Sequence, residues 1–259
     1  MEGLPGDPAG ARGREERGLI ELRPRPGTAI HQFSFVDALV AGLYDGAFSA
    51  SEVLMRGDFG VGCGDALDGE LVLIDGTMYI CSAGGVRTVS PDELLPFAEV
   101  TRFEPTFSQS IESLDEDGFE ALIDALVPSN NLFYAVRVDG SFGRMTVREA
   151  TRQQHPFPGL AEAAKSQHED TVGSTTGTIL GFKGPDVFQG LSVADYHLHY
   201  IDDDRTVGGH VMDFSLIRGT LTIEAYSGFM LRLPEVASYL GAELDEVDTD
   251  AAIRQAESN

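Results

Sequence analysis

Three of the chain's six histidines fall in one short stretch, "ADYHLHYIDDDRTVGGHVMDF" (194–214), as His197, His199 and, eleven residues on, His210. Imidazole nitrogen is a neutral ligand for borderline transition metals. Three such ligands with the fourth position open make a catalytic zinc site rather than a closed structural one. That chemistry requires the rings to converge. Residues two apart on a strand project from one face, so a strand here presents His197 and His199 together. A two-residue loop at Asp204-Arg205 then places His210 directly opposite His199, with Cβ atoms about 4.5–5.5 Å apart. A slip of one residue sends His210 to the other face and abolishes the site. The acids Asp202, Asp203 and Asp204 read as a solvated turn, and His31, His155 and His168 fall in loop or helix-end contexts.

Other reactive side chains are less sharply marked. Glu70 heads a strand, where a carboxylate is solvated more often than catalytic. Along 142–148, Met145 and Val147 face one way and Arg144, Thr146 and Arg148 the other. Parity therefore allows Arg148 to line a polar cleft without choosing it over Arg144. Cys63 and Cys81 form neither a disulfide framework nor a C-x-x-C motif, which agrees with a reducing compartment.

The elements that must position these groups follow from periodicity. "HQFSFVDALVAGLYDG" has helical apolar spacing with Ser34 as N-cap. Asp75-Gly76 marks the turn between strands 70–74 and 78–81, and Asp139-Gly140 marks a second hairpin. "VSPDELLPFAEV" carries a helix-entry signature that Pro96 cuts short. "LDEDGFEALIDALV" is a helix with Phe119, Leu122, Ile123 and Leu126 on one stripe, and a short helix spans 160–167. From 177 to 233 the pattern is almost all strand, an antiparallel meander closing into a barrel or sandwich. "LPEVASYLG" is a last short helix.

At 259 residues with 42% apolar content the chain can bury a sizeable core. No apolar run reaches the roughly 20 residues of a membrane span. Forty-two Asp and Glu against 18 Lys and Arg give a net charge of −24, which argues against nucleic acid and anionic membranes as partners. An anionic small molecule would need a local cation or metal. The N-terminal stretch lacks an apolar signal core and reads as a disordered leader on a cytoplasmic protein.

Taken together, "RGDFGVGCGDALDGELVLIDG", "NLFYAVRVDGSF" with "VREATRQ", "GTILGF", "YHLHYIDDDRTVGGHV" and "LRLP" make the chain, from about His31 onward, similar to the alpha-acetolactate decarboxylases. The resemblance implies an α/β (α+β type) fold: a leader over 1–27, an N-terminal mixed sheet with helices over 28–155, a mostly antiparallel, barrel-like metal-binding domain over 156–245, and a tail over 246–259 that folds back toward the site. It implies a homodimer, a Zn2+ ion on His197, His199 and His210, catalytic Glu70, Arg148 and Glu257, and release of CO2 from 2-acetolactate to give acetoin. Cys63 stands where the family usually carries a substrate-positioning threonine, and a thiol is the weaker hydrogen-bond donor. Two readings of other classes stay open. A cupin-like metal oxygenase or isomerase would need a carboxylate ligand near Asp203, and a non-catalytic metal-binding β-domain would need a closed fourth ligand, for which Cys63 is the candidate.

Overall fold

The computed structural model describes residues 22–244; most of the leader and the whole of the tail over 246–259, Glu257 included, lie outside them. In chain order the first elements are β1 (Ile30–Phe33), α1 (Val36–Val40), β2 (Phe48–Ser49), α2 (Ala50–Leu54), β3 (Phe59–Cys63), β4 (Glu70–Ile74), β5 (Thr77–Ser82), β6 (Gly85–Thr88), β7 (Leu94–Leu95) and β8 (Phe97–Thr101). There follow β9 (Phe107–Asp115), α3 (Glu116–Leu126), β10 (Phe133–Glu149), α4 (Leu160–Ala163), β11 (His168–Val172), β12 (Thr175–Gly184), β13 (Asp195–Asp202), β14 (Gly208–Tyr226), β15 (Phe229–Arg232) and α5 (Ala237–Leu240). Strands dominate, with a few helices, as expected of an α+β chain. Among the described residues no helix is long and apolar enough to cross a membrane.

One sheet has the order β15-β1-β8-β3-β4-β5-β6, and the other β11-β10-β12-β13-β14-β9. In the second sheet β10 also pairs with β14, so β10, β12, β13 and β14 pair in a ring. Membership changes between Thr101 and Phe107, and β15 then returns to run parallel to β1 in the first sheet. The meander is therefore not purely antiparallel. The Pro-rich joint at 155–158 lies between strands of the second sheet.

Alternation along the ring strands decides what each face does. Leu198, Tyr200, Val211, Met145 and Val147 enter one apolar core, which Phe119 and Ile123 of α3 complete. Fully burying such a side chain is worth roughly 1.5–3 kcal/mol. Register is thereby fixed, and the odd residues of β13 must face the first sheet. There Ile201, Leu180 and Phe182 pack on Phe59, Val61 and Val72.

The two Asp-Gly signals part company. Asp75 (φ 50°) and Gly76 (φ 78°) are both left-handed, as a type I′ turn demands. Asp139 and Gly140 have no such φ, and β10 runs through them, displaced by register shifts around Phe142. A hairpin there is ruled out because both edges of β10 are already occupied, by β12 and β14. Likewise "GGHVMDFSLI" and "GTLTIEAYSG" form one strand, β14, rather than two. Ser34 is not the N-cap of α1. It takes φ 65°, Phe35 holds the cap position, and the Val36 and Asp37 N–H groups donate to the Leu191 and Gly190 carbonyls. The Ser90–Glu93 signature yields a turn and the short strand β7, because Glu93 is drawn into an ion pair with Arg87.

Candidate active site

The hairpin of β13 and β14 has the expected register: His199 pairs with His210, Tyr200 with Gly209 and Ile201 with Gly208. The connecting loop is longer than two residues, spanning 203–206, and Asp202 organises it. Its buried carboxylate accepts from the Thr206 N–H and hydroxyl and from the Val207 N–H. Asp202 is thus a structural anchor rather than a solvated turn residue, while Asp203 and Asp204 are exposed. Gly208 and Gly209 let three strands close on the site. A Cβ at Gly208 would sit 2.6 Å from Cys81 Sγ, and one at Gly209 would sit 2.7 Å from the Arg148 carbonyl oxygen.

His197, His199 and His210 are all buried, and each offers a ligand nitrogen within 4.8 Å of the others. His199 Nδ1 lies 2.9 Å from the Leu71 carbonyl oxygen. A carbonyl only accepts, so the proton sits on Nδ1 and Nε2 is the nitrogen presented to the cluster. Such a partner behind a ligand fixes its tautomer and ring orientation. A buried set of three imidazoles, one of them pre-oriented in this way, fits a borderline divalent metal. Among the described residues Cys63 is not part of this group, and no carboxylate of the 202–204 turn joins it.

β14 pairs with β10 on its other side, which puts Arg148 directly opposite His210. Arg148, His210 and His199 therefore form one row across three strands, on the face away from the apolar core. Arg148 is 5% exposed, and its Nε and Nη1 meet no hydrogen-bond acceptor among the described residues. Arg144, its parity twin, is half-exposed and pairs with Asp213. The structure makes the choice that parity left open.

Glu70 arrives from the facing sheet. The turn before it is strained: Ala66, Leu67 and Gly69 all have positive φ, and a Cβ at Gly69 would lie 2.4 Å from the Cys81 carbonyl oxygen. Arg152 holds this turn by Asp65 (3.0 Å) and Asp68 (3.2 Å). Backbone held this way marks functional segments. Glu70 Oε1 accepts the Ala150 N–H at 3.1 Å, and Oε2 lies 3.7 Å from His199 Nε2. Cys63 pairs with Glu70 across β3 and β4. Burial pushes its thiol well up, and the charges of Glu70 and Asp65 add to the shift, so it stays a neutral S–H.

Glu70, Arg148, His197 and His210 give a polar end to one cavity of about 70 Å³, which Cys63 also lines. Val36, Leu39, Leu67, Phe97, Leu160, Ala163 and Val193 form an apolar wall, with Gln167 and Thr151 at its margin. Sequence patterning missed this wall. Its residues come from α1, α4, the start of β8 and loops; the periodicity marks the two helices but not the surface they build together.

The profile of the alpha-acetolactate decarboxylase family matches residues 30–246. The alpha-acetolactate decarboxylase of Methylococcus capsulatus is 41% identical over 231 residues, covering 88% of each chain. That of Bacillus subtilis is 39% identical over 228 residues, 87% of this chain and 89% of its own. The crystal structure of alpha-acetolactate decarboxylase from Bacillus subtilis strain 168 superposes with a TM-score of 0.87 at 38% identity, covering 89% of this chain and all of that one. A Staphylococcus aureus protein of unknown function, described as similar to alpha-acetolactate decarboxylase, superposes with a TM-score of 0.86 at 32% identity, over 88% of this chain and all of its own.

Proposed function

This chain belongs to the alpha-acetolactate decarboxylase family, and from that premise we propose that it converts 2-acetolactate to acetoin and CO2 with a zinc ion held by His197, His199 and His210. The observation that carries the proposal is the row of Arg148, His210 and His199 across three strands, with Glu70 beside His199 and sharing one cavity with Arg148, His210 and His197. The substrate is a β-keto acid, so loss of CO2 sends an electron pair into the adjacent carbonyl, and protonation of the resulting enediolate gives the product. A metal in the His triad supplies Lewis-acid stabilisation of that developing charge, worth several kcal/mol.

The remaining roles belong to side chains of this protein. Arg148, buried and with two donor nitrogens that meet no acceptor among the described residues, binds the substrate carboxylate and stands as the local cation that an anion requires in a chain of net −24. Glu70 has one oxygen committed to the Ala150 N–H; its other, Oε2, orients the substrate hydroxyl and holds its proton. Cys63, where the family usually has threonine, positions the substrate through a weak S–H donor. The apolar wall excludes water from the polar end, which strengthens every charge interaction there. Glu257, outside the described residues, takes a second proton-handling role by family resemblance. The same resemblance underlies our reading of the protein as a homodimer, while the strand pattern underlies the barrel-like domain and the N-terminal composition the cytoplasmic location.

The deciding experiment is acetoin release from racemic 2-acetolactate by purified protein, with and without a chelator. Chelator-sensitive release is expected. Folded, metal-loaded protein that is no faster than spontaneous decay would sink the proposal.

A further inference from the structure

Glu99 of β8 is buried, and its neighbours raise a question of proton count. Gln32 of β1 is its direct cross-strand partner, on the same face. The Gln32 Nε2 group donates to the Ser34 and Leu191 carbonyls at 2.9 and 2.6 Å. Turning the amide over would set its oxygen against both carbonyls, so its orientation is fixed and Oε1 must find a donor elsewhere. Gln32 Oε1 and Glu99 Oε1 are both buried with no hydrogen-bond partner among the described residues, while Glu99 Oε2 accepts from Ser192 Oγ at 3.1 Å. Two buried acceptors on directly paired residues lack one hydrogen. A buried polar atom left in that state forfeits its hydration with nothing in return.

We infer that Glu99 is held as a neutral carboxylic acid whose Oε1–H donates to Gln32 Oε1, and that this pair is a positioning device for the wall of the substrate cavity. The route is short. Gln32, through the Leu191 carbonyl, and Glu99, through the Ser192 hydroxyl, grip the loop that runs from β12 to β13, and the Gly190 and Leu191 carbonyls of that loop accept from the first N–H groups of α1. Val36 and Leu39 of α1, and Val193 of the loop itself, line the cavity. An ionised Glu99 would face the Gln32 oxygen with a full charge and loosen this grip.

The surroundings agree. The charged and titratable groups on the two facing sheet surfaces are Cys63, Glu70 and Cys81 of the first sheet and Arg137, Arg148, His197, His199, His210 and Glu224 of the second. None of them is among the causes that set the state of Glu99. Burial raises its pKa to about 8, opposed only by the Ser192 hydroxyl. The sign follows from proton binding. Between the ordinary glutamate pKa of about 4.3 and that raised value, the folded state holds a proton the unfolded state has lost, so stability falls as pH rises.

Glu99→Gln is the test, because its amide donates to Gln32 and accepts from Ser192 as the neutral acid does. Infrared difference spectra at pH 7 should show a carboxylic-acid C=O band in the wild type that Glu99→Gln lacks, fading as pH passes about 8. Relative to the variant, the wild-type folding constant should fall up to tenfold per pH unit across the window above. kcat/KM should match at pH 7 and diverge above pH 8, where only the wild type declines. The inference is overturned if no such band separates the two proteins or if their stabilities run parallel with pH. An equal alkaline decline in both overturns the positioning role. Only the kcat/KM comparison rests on the decarboxylase proposal. A protein that releases no acetoin fails that proposal, while spectra and stability still decide the state of Glu99.

Discussion

His199 combines three constraints in one side chain: it is fully buried, it is paired with His210, and its Nδ1–H is committed to the Leu71 carbonyl. Removing it takes away both a ligand and the geometry that presents it. His199→Ala should lose metal, measured by metal analysis after dialysis, and acetoin release in parallel; retained metal with full turnover would remove it from the site. Arg148 predicts a different split. In Arg148→Lys the charge survives but the planar fork does not, and an ammonium is a point donor. Metal content should stay at the wild-type level while kcat/KM falls by about a hundredfold, the scale of losing one oriented donor to developing charge. Unchanged turnover would exclude Arg148 from substrate binding. Cys63→Thr restores a hydroxyl in a buried position of similar volume, so KM should fall with metal content unchanged; a higher KM would show that the thiol is the better fit here.

At the scale of elements, the site depends on the β13–β14 hairpin keeping register, and Asp202 is its fastener. Asp202→Ala leaves two backbone N–H groups and a hydroxyl without their acceptor, and stability should drop by about 1–3 kcal/mol in urea unfolding. Metal affinity should weaken in the folded variant as well, since His210 follows the loop. A variant as stable as the wild type, with unchanged metal affinity, would show that apolar packing alone holds the register.

Charge acts on the whole molecule. A net −24 repels an anionic substrate over distances of the order of the Debye length, about 10 Å at 0.1 M salt. Arg148 acts at close range in a buried site and is screened much less. kcat/KM should therefore rise as ionic strength increases from a few millimolar to about 0.1 M, with kcat nearly constant. A fall over that range would mean that the substrate meets a locally positive entrance, whatever the net charge.

What was legible in the sequence was local and periodic. Strand parity and hairpin register placed His197, His199 and His210 on one face, because a strand's period of two admits only two answers and pairing His199 with His210 selects one of them. The Asp75-Gly76 turn was legible for the same reason. Asp139-Gly140 carries the same dipeptide signal, and only the tertiary structure decided against it. Strands β12 and β14 occupy both edges of β10 there, and the ladder they offer outweighs a local turn preference. The choice of Arg148 over Arg144, the approach of Glu70 from a different sheet, and the apolar wall built from α1, α4, the start of β8 and loops were likewise tertiary decisions. Each joins residues far apart in the chain, and spacing along a sequence carries no information about which faces will meet across the gap between two sheets.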